Sequence, residues 1–157
     1  YSLLFLLACG SGRSSAWKGV WRGEQLSTVE KCAEPLLNSV ELRPKGLQLT
    51  LLELGPSTDN PEYFDLDGRV EVDGLFPLDV DAQDKLARVV MPQGPSVNTA
   101  SGVRWRVEGG SVGELTGNLA RVNQLVVSFD DVGFGMRTCR YGIWTIEGTV
   151  VRLTPQD

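Results

Sequence analysis

The sequence contains no histidine. Its absence removes serine–histidine and cysteine–histidine activation of a nucleophile, together with every imidazole-based metal site. Cysteine is scarce, at Cys9, Cys32 and Cys139 only. So few thiols without histidine do not make a structural zinc site, and neither a metal nor another cofactor is expected. An excess of positive charge is also missing, because 15 basic residues face 20 acidic ones and leave a net charge of −5. Phosphate recognition needs clustered Lys and Arg, whereas the densest group here is Arg104 and Arg106 around Trp105, spaced like the solvated face of a strand. No nucleic-acid partner is expected. Nor is any apolar run long enough to cross a bilayer as a helix.

What is plentiful is turn chemistry. Eighteen glycines and eight prolines are scattered singly or in pairs, which is the punctuation of many short segments. The 157 residues, 41% hydrophobic and 22% charged, suit one globular domain with a real core. From Trp17 onward the apolar residues alternate with a period of two. Val40 and Leu42, then Leu47, Leu49 and Leu51, share one face, with RPKG at 43–46 as a turn and a bulge expected where the alternation slips at Leu51 and Leu52.

Further strands are expected at 63–66, 69–72, 75–80, 103–107, 112–119, 125–129, 137–146 and 149–153. Asp67-Gly68 and Asp73-Gly74 read as tight turns. The expected fold is therefore all-β, an antiparallel meander of about eight to ten strands closing into a barrel or sandwich. One or two short helices are expected as well. Ser27 and Glu30 have capping-box spacing, and Asp81 could cap AQDKLARV. Residues 92–102, without apolar periodicity, read as a loop.

Candidate chemistry is thin. GGSVG at 109–113 matches the G-x-S-x-G pattern around Ser111, yet that pattern needs a strand, a sharp turn, a helix and a base. The acidic groups Asp65/Asp67 and Asp79/Asp81/Asp84 lack the glycine and distal glutamate of a calcium loop, so solvated turns are the simpler reading. Asp130 and Asp131, in FDDVGFG, could serve acid catalysis only if a turn made them converge. The chain is therefore not expected to be an enzyme, with a small acid-catalysed envelope hydrolase as an alternative.

Residues 2–8, SLLFLLA, form an apolar run of the length found in a signal peptide, and Leu6, Leu7, Ala8 and Cys9 follow as LLAC. This tetrapeptide resembles the bacterial lipobox, in which the cysteine is lipidated and becomes the first residue. The resemblance implies that residues 1–8 are the remnant of a signal peptide and that Cys9 carries lipid. Residues 9–16, rich in Gly and Ser, would then be a flexible tether to a single β domain at 17–157. SLLFLLAC could alternatively be a first buried strand. Gly10 follows the cysteine where some inner-membrane lipoproteins have Asp, which favours an outer-membrane location in a bacterial envelope. Lipidation of Cys9 would leave Cys32 and Cys139 to pair as a disulfide in an oxidising compartment.

Trp17, Gly19, Trp21 and Gly23 share one strand face, two rings beside two vacancies. Gly19, Val20 and Trp21 resemble the G-x-W of the first strand of lipocalins and their calycin relatives, where the Trp plugs one end of the barrel against an Arg from a late strand. Arg152 is the positional match. That resemblance implies a carrier of a small apolar ligand, with Trp21, Trp105 and Arg152 at the cavity or its closure and Leu49, Val72 and Val127 pointing inward. The leading reading, to which the carrier is the alternative, keeps both Trp residues as ordinary core of a lipid-anchored, non-enzymatic binding or scaffolding domain, whose partner would be another envelope protein.

Overall fold

The computed structural model describes residues 14–35, 46–72, 77–98, 102–131 and 139–153. Nine strands follow in chain order: β1 (Gly19–Pro35), β2 (Leu47–Pro56), β3 (Phe64–Val72), β4 (Leu78–Asp84), β5 (Arg88–Met91), β6 (Val97–Asn98), β7 (Val103–Thr116), β8 (Leu119–Asp131) and β9 (Cys139–Arg152). Each strand pairs antiparallel with its sequence neighbour except across β6; β1 pairs with β9, and β5 with β7. These two contacts close an eight-stranded barrel, with β6 added at the upper edge of β7. Closure is what distinguishes this arrangement from a sandwich, because it leaves no unpaired edge around the ring.

The alternation seen in the sequence becomes the inside and outside of that ring. In β2, β3 and β4 the buried residues Leu47, Leu49, Leu51, Leu66, Val70, Val72, Leu78 and Val80 alternate with exposed or half-buried ones. A barrel of eight strands has an interior about one side chain deep from each wall. Here a single apolar cluster runs from Trp17 and Trp21 to Trp105 and Trp144.

The wall is uneven in height. β1 pairs with β2 only from Gly19 to Gly23, but with β9 as far as Pro35. Likewise β7 meets β5 only at Gly110–Gly113, yet follows β8 down to Val103. The strands β7, β8, β9 and β1 therefore continue past the ends of β2 to β5. The turns β2–β3, β4–β5 and β7–β8 and both ends of the described chain lie at one end of the barrel; the other connections lie at the far end.

Several expectations are corrected. No helix occurs among the described residues. Ser27 and Glu30 lie in β1 opposite Glu147 and Trp144, so strand pairing with β9 overrides the capping-box spacing. Asp81 lies in β4 opposite Asp67, and its supposed helix is the β4–β5 hairpin. Asp67-Gly68 is mid-strand rather than a turn: a Cβ at Gly68 would lie 2.8 Å from the Val80 carbonyl oxygen, so the glycine permits close strand approach. The segments 63–66 and 69–72 are thus one strand, as are 137–146 and 149–153 from Cys139 onward. The bulge falls between Glu53 and Gly55 instead of at Leu51. The segment 92–98 is pinned, with Gly94 N–H donating to the Val107 carbonyl at 2.9 Å, and it includes β6. Val40, Leu42, Asp73, Gly74 and most of RPKG lie outside the described residues.

Candidate functional site

One end of the barrel is plugged by the chain that enters β1. Trp17 and Trp21 are buried, with ring centroids 5.8 Å apart, and the Trp21 indole N–H donates to the Trp17 carbonyl at 2.9 Å. Between them Gly19 has φ = +133°, a region side-chain-bearing residues avoid, and the aliphatic stem of Arg152 lies across the space its Cβ would approach. Arg152 is the direct neighbour of Trp21 across the β1–β9 ladder. Its guanidinium sits 4.5 Å from the Trp21 ring centroid and donates through an Nη2 hydrogen to the Ala16 carbonyl. This is a cation–π contact and a charge-assisted hydrogen bond on one side chain. Burial pulls the Arg152 pKa below the ordinary arginine value, yet a guanidinium remains charged at any physiological pH.

The plug is held from the opposite wall as well. Ser15, fully buried, donates through its hydroxyl to Asp84 Oδ2 at 2.7 Å, and its backbone N–H donates to Glu53 Oε1 at 2.7 Å. Ser14 Oγ donates to Glu53 Oε2 at 3.2 Å. Residues 14–16 are therefore docked to the barrel by polar cross-links to Glu53, Asp84 and Arg152. Residues 9–13 lie outside the described residues.

At the far end, on the inner face of the taller wall, Trp105, Phe129 and Trp144 form a buried triad with centroid separations of 5.0 to 5.5 Å and tilted rings. Such tilted pairs are the favoured aromatic geometry. On the outer face of the same wall, Glu108 accepts from Ser128 Oγ at 2.7 Å, Gln93 Nε2 at 2.7 Å and Arg106 Nε at 3.0 Å. The Ser128 hydrogen bond is the main reason its pKa lies below the ordinary glutamate value, with Gln93 and Arg106 adding to it against a partial desolvation.

The structure thus brings Trp21 and Arg152 together, whereas Trp105, in the same apolar core, has its ring contacts with Phe129 and Trp144. Leu49, Val72 and Val127 all face inward and are buried. Ser111 lies in β7 opposite Val90, with the Asn123 amide 3.5 Å from its hydroxyl, so GGSVG is strand and not a nucleophile elbow. Asp130 is paired across the ladder with Arg104, and Arg104 Nε donates to Asn98 Oδ1. The Asp131 side chain lies outside the described residues. Of the acidic groups, Asp79 pairs with Arg69 at 3.2 Å. No three metal-ligating side chains converge among the described residues. An open groove of about 410 Å³ on the outside of β3 to β5 passes Leu54, Asp65, Gln83 and Val90, but its polar groups serve each other, Gln83 donating to Asp65 at 3.1 Å.

Cys9 lies outside the described residues. Cys32 faces Gly142 and Cys139 faces Pro35 on the β1–β9 ladder. Sequence reading did not single out Ser15, Glu53, Phe129 or Trp144, and took Asp84 only as one acid of a solvated turn. A signal for Asp84 exists, since it continues the phase of Leu78, Val80 and Ala82 and is thereby placed inside. No protein-family model matches the chain, and no curated protein matches it either.

Proposed function

We propose that the protein is a lipid-anchored binding protein of a bacterial envelope, in the outer membrane, whose barrel is a calycin-like carrier of a small apolar ligand and not an enzyme. The observation that carries this reading is the Arg152 guanidinium over Trp21 at the seam between the first and last strands of a closed barrel. It gives the G-x-W resemblance a three-dimensional counterpart. With that end plugged, the ligand end is the far one, where the buried rings of Trp105, Phe129 and Trp144 line the interior of the taller wall. The non-enzymatic reading is supported by Ser111, which lies in a paired strand and whose hydroxyl accepts from the Asn123 amide, with no histidine in the sequence to activate it.

Lipid on Cys9 belongs to the same proposal, supported by LLAC. A disulfide between Cys32 and Cys139 does too. Both cysteines are on neighbouring strands at the same end of their ladder. Three ladder positions separate them, so the bulge between Cys32 and Glu34 must shorten that offset to the roughly 7 Å a bridge allows.

Two measurements test the proposal. Cys9→Ala should move the protein from the membrane fraction to the soluble one, since stable anchoring needs several acyl chains at about 0.8 kcal/mol per buried methylene. Solvent extraction of protein purified from membranes should release one class of apolar molecule in near-stoichiometric amount. An unchanged membrane fraction contradicts the anchor, and an empty extract contradicts the carrier.

A further inference from the structure

Six of the seven large hydrophobic residues exposed among the described residues are Leu52, Leu54, Leu86, Leu119, Val151 and Leu153. All six surround the plugged end. Leu52 and Leu54 lead into the β2–β3 turn, Leu86 is in the β4–β5 turn, Leu119 follows the β7–β8 turn, and Val151 and Leu153 end β9. Leu119 and Val151 are ladder partners, and Leu153 N–H donates to the Val20 carbonyl, so these three form one patch. The seventh among the described residues, Tyr141, lies elsewhere. Scattered exposed leucines need no explanation, but a rim of them around one end of a barrel marks a contact surface.

We infer that this rim rests on the lipid bilayer to which Cys9 is attached, so that the far end faces away from the membrane. The inference builds on the proposed lipidation. The chain leaves the barrel beside the rim, because Ser14 is hydrogen-bonded to Glu53, between Leu52 and Leu54. From Cys9 to Ser14 a fully extended chain reaches about 17 Å. β9, with 14 residues, rises about 35 Å along a barrel axis at a tilt near 40°. The anchor can therefore bring the rim to the headgroups and cannot bring the far end there. The exposed leucines then have an occupant set by the tether, a phospholipid surface, in preference to a protein partner that would have to share the same narrow space.

The test separates rim contact from lipidation. The chain from Gly10 onward, with hexahistidine in place of Cys9, is held on phosphatidylethanolamine–phosphatidylglycerol vesicles containing a nickel-chelating lipid, so that its attachment does not depend on an acyl chain. A fluorophore is placed by L54C, L86C or N98C in a background with Cys32→Ser and Cys139→Ser, folding being checked by circular dichroism. Headgroup-level nitroxide lipids should quench the first two sites strongly and the Asn98 site not at all, and Leu52→Gln with Leu119→Gln should abolish the quenching at Leu86. Equal quenching at all three sites, or none at the rim of vesicle-bound protein, overturns the inference. Failure of Cys9→Ala to release the native protein would instead overturn the anchor alone.

Discussion

The two ends of this barrel are built from different chemistry. At the plugged end a short stretch of chain is cross-linked to three walls by Ser15–Asp84, Ser15–Glu53 and Arg152–Ala16, with Gly19 supplying a backbone conformation that other residues avoid. At the far end the interior holds an aromatic triad, and the polar network of Glu108 lies outside it. The first arrangement fixes the position of a segment through directional bonds. The second fills volume through non-directional apolar contact. In the proposed carrier, closure belongs to the first end and recognition to the second.

The comparison can be broken by substitutions at either end, read as urea midpoints at constant m-value. Trp144→Ala should cost most, about 3–5 kcal/mol, because it removes a buried ring with two aromatic neighbours. Arg152→Ala should cost about 2–4 kcal/mol, combining a charge-assisted hydrogen bond with a desolvated cation–π contact. Arg152→Met keeps the stem over Gly19 and isolates the charge; if it matches the wild type, the plugged end is held by packing alone and the contrast fails.

Ser15→Ala should cost about 1–3 kcal/mol, since it strips a buried carboxylate, Asp84, of its hydroxyl donor. Its effect should appear as faster hydrogen exchange at Trp17 and Trp21, with the far end unchanged. The smallest effect is expected at Glu108, about 1 kcal/mol on replacement by Gln. Because its folded pKa lies below the ordinary glutamate value, its contribution is present above that value and is lost as pH falls through the lowered one. Wild type and Glu108→Gln should therefore differ near neutral pH and converge in acid. A gap that widened in acid would contradict the Glu108 network.

The all-β class and the inward residues were legible in the sequence because a period of two is a local pattern, carried by Leu47, Leu49 and Leu51 without reference to the rest of the chain. Strand boundaries were not. Gly68 imitates a turn in sequence, and only the Val80 backbone above it shows why glycine is needed. The same limit explains the two misplaced helices, where pairing with β9 and the β4–β5 hairpin outweighed capping signals. Within the site, the Trp21–Arg152 pair was accessible through a three-residue resemblance. The docking of Ser15 was not, since its partners Glu53 and Asp84 lie 38 and 69 positions away.

The assignment of closure and recognition to opposite ends is tested most directly by energy transfer, because the four tryptophans divide evenly: Trp17 and Trp21 at the plug, Trp105 and Trp144 at the far end. A conjugated polyene fatty acid, which absorbs tryptophan emission, is titrated into the Trp17→Phe/Trp21→Phe and Trp105→Phe/Trp144→Phe variants. Saturable binding that strongly quenches the first variant and only weakly quenches the second is the result the account predicts. No saturable binding to the wild type, or quenching carried by Trp17 and Trp21, would contradict it.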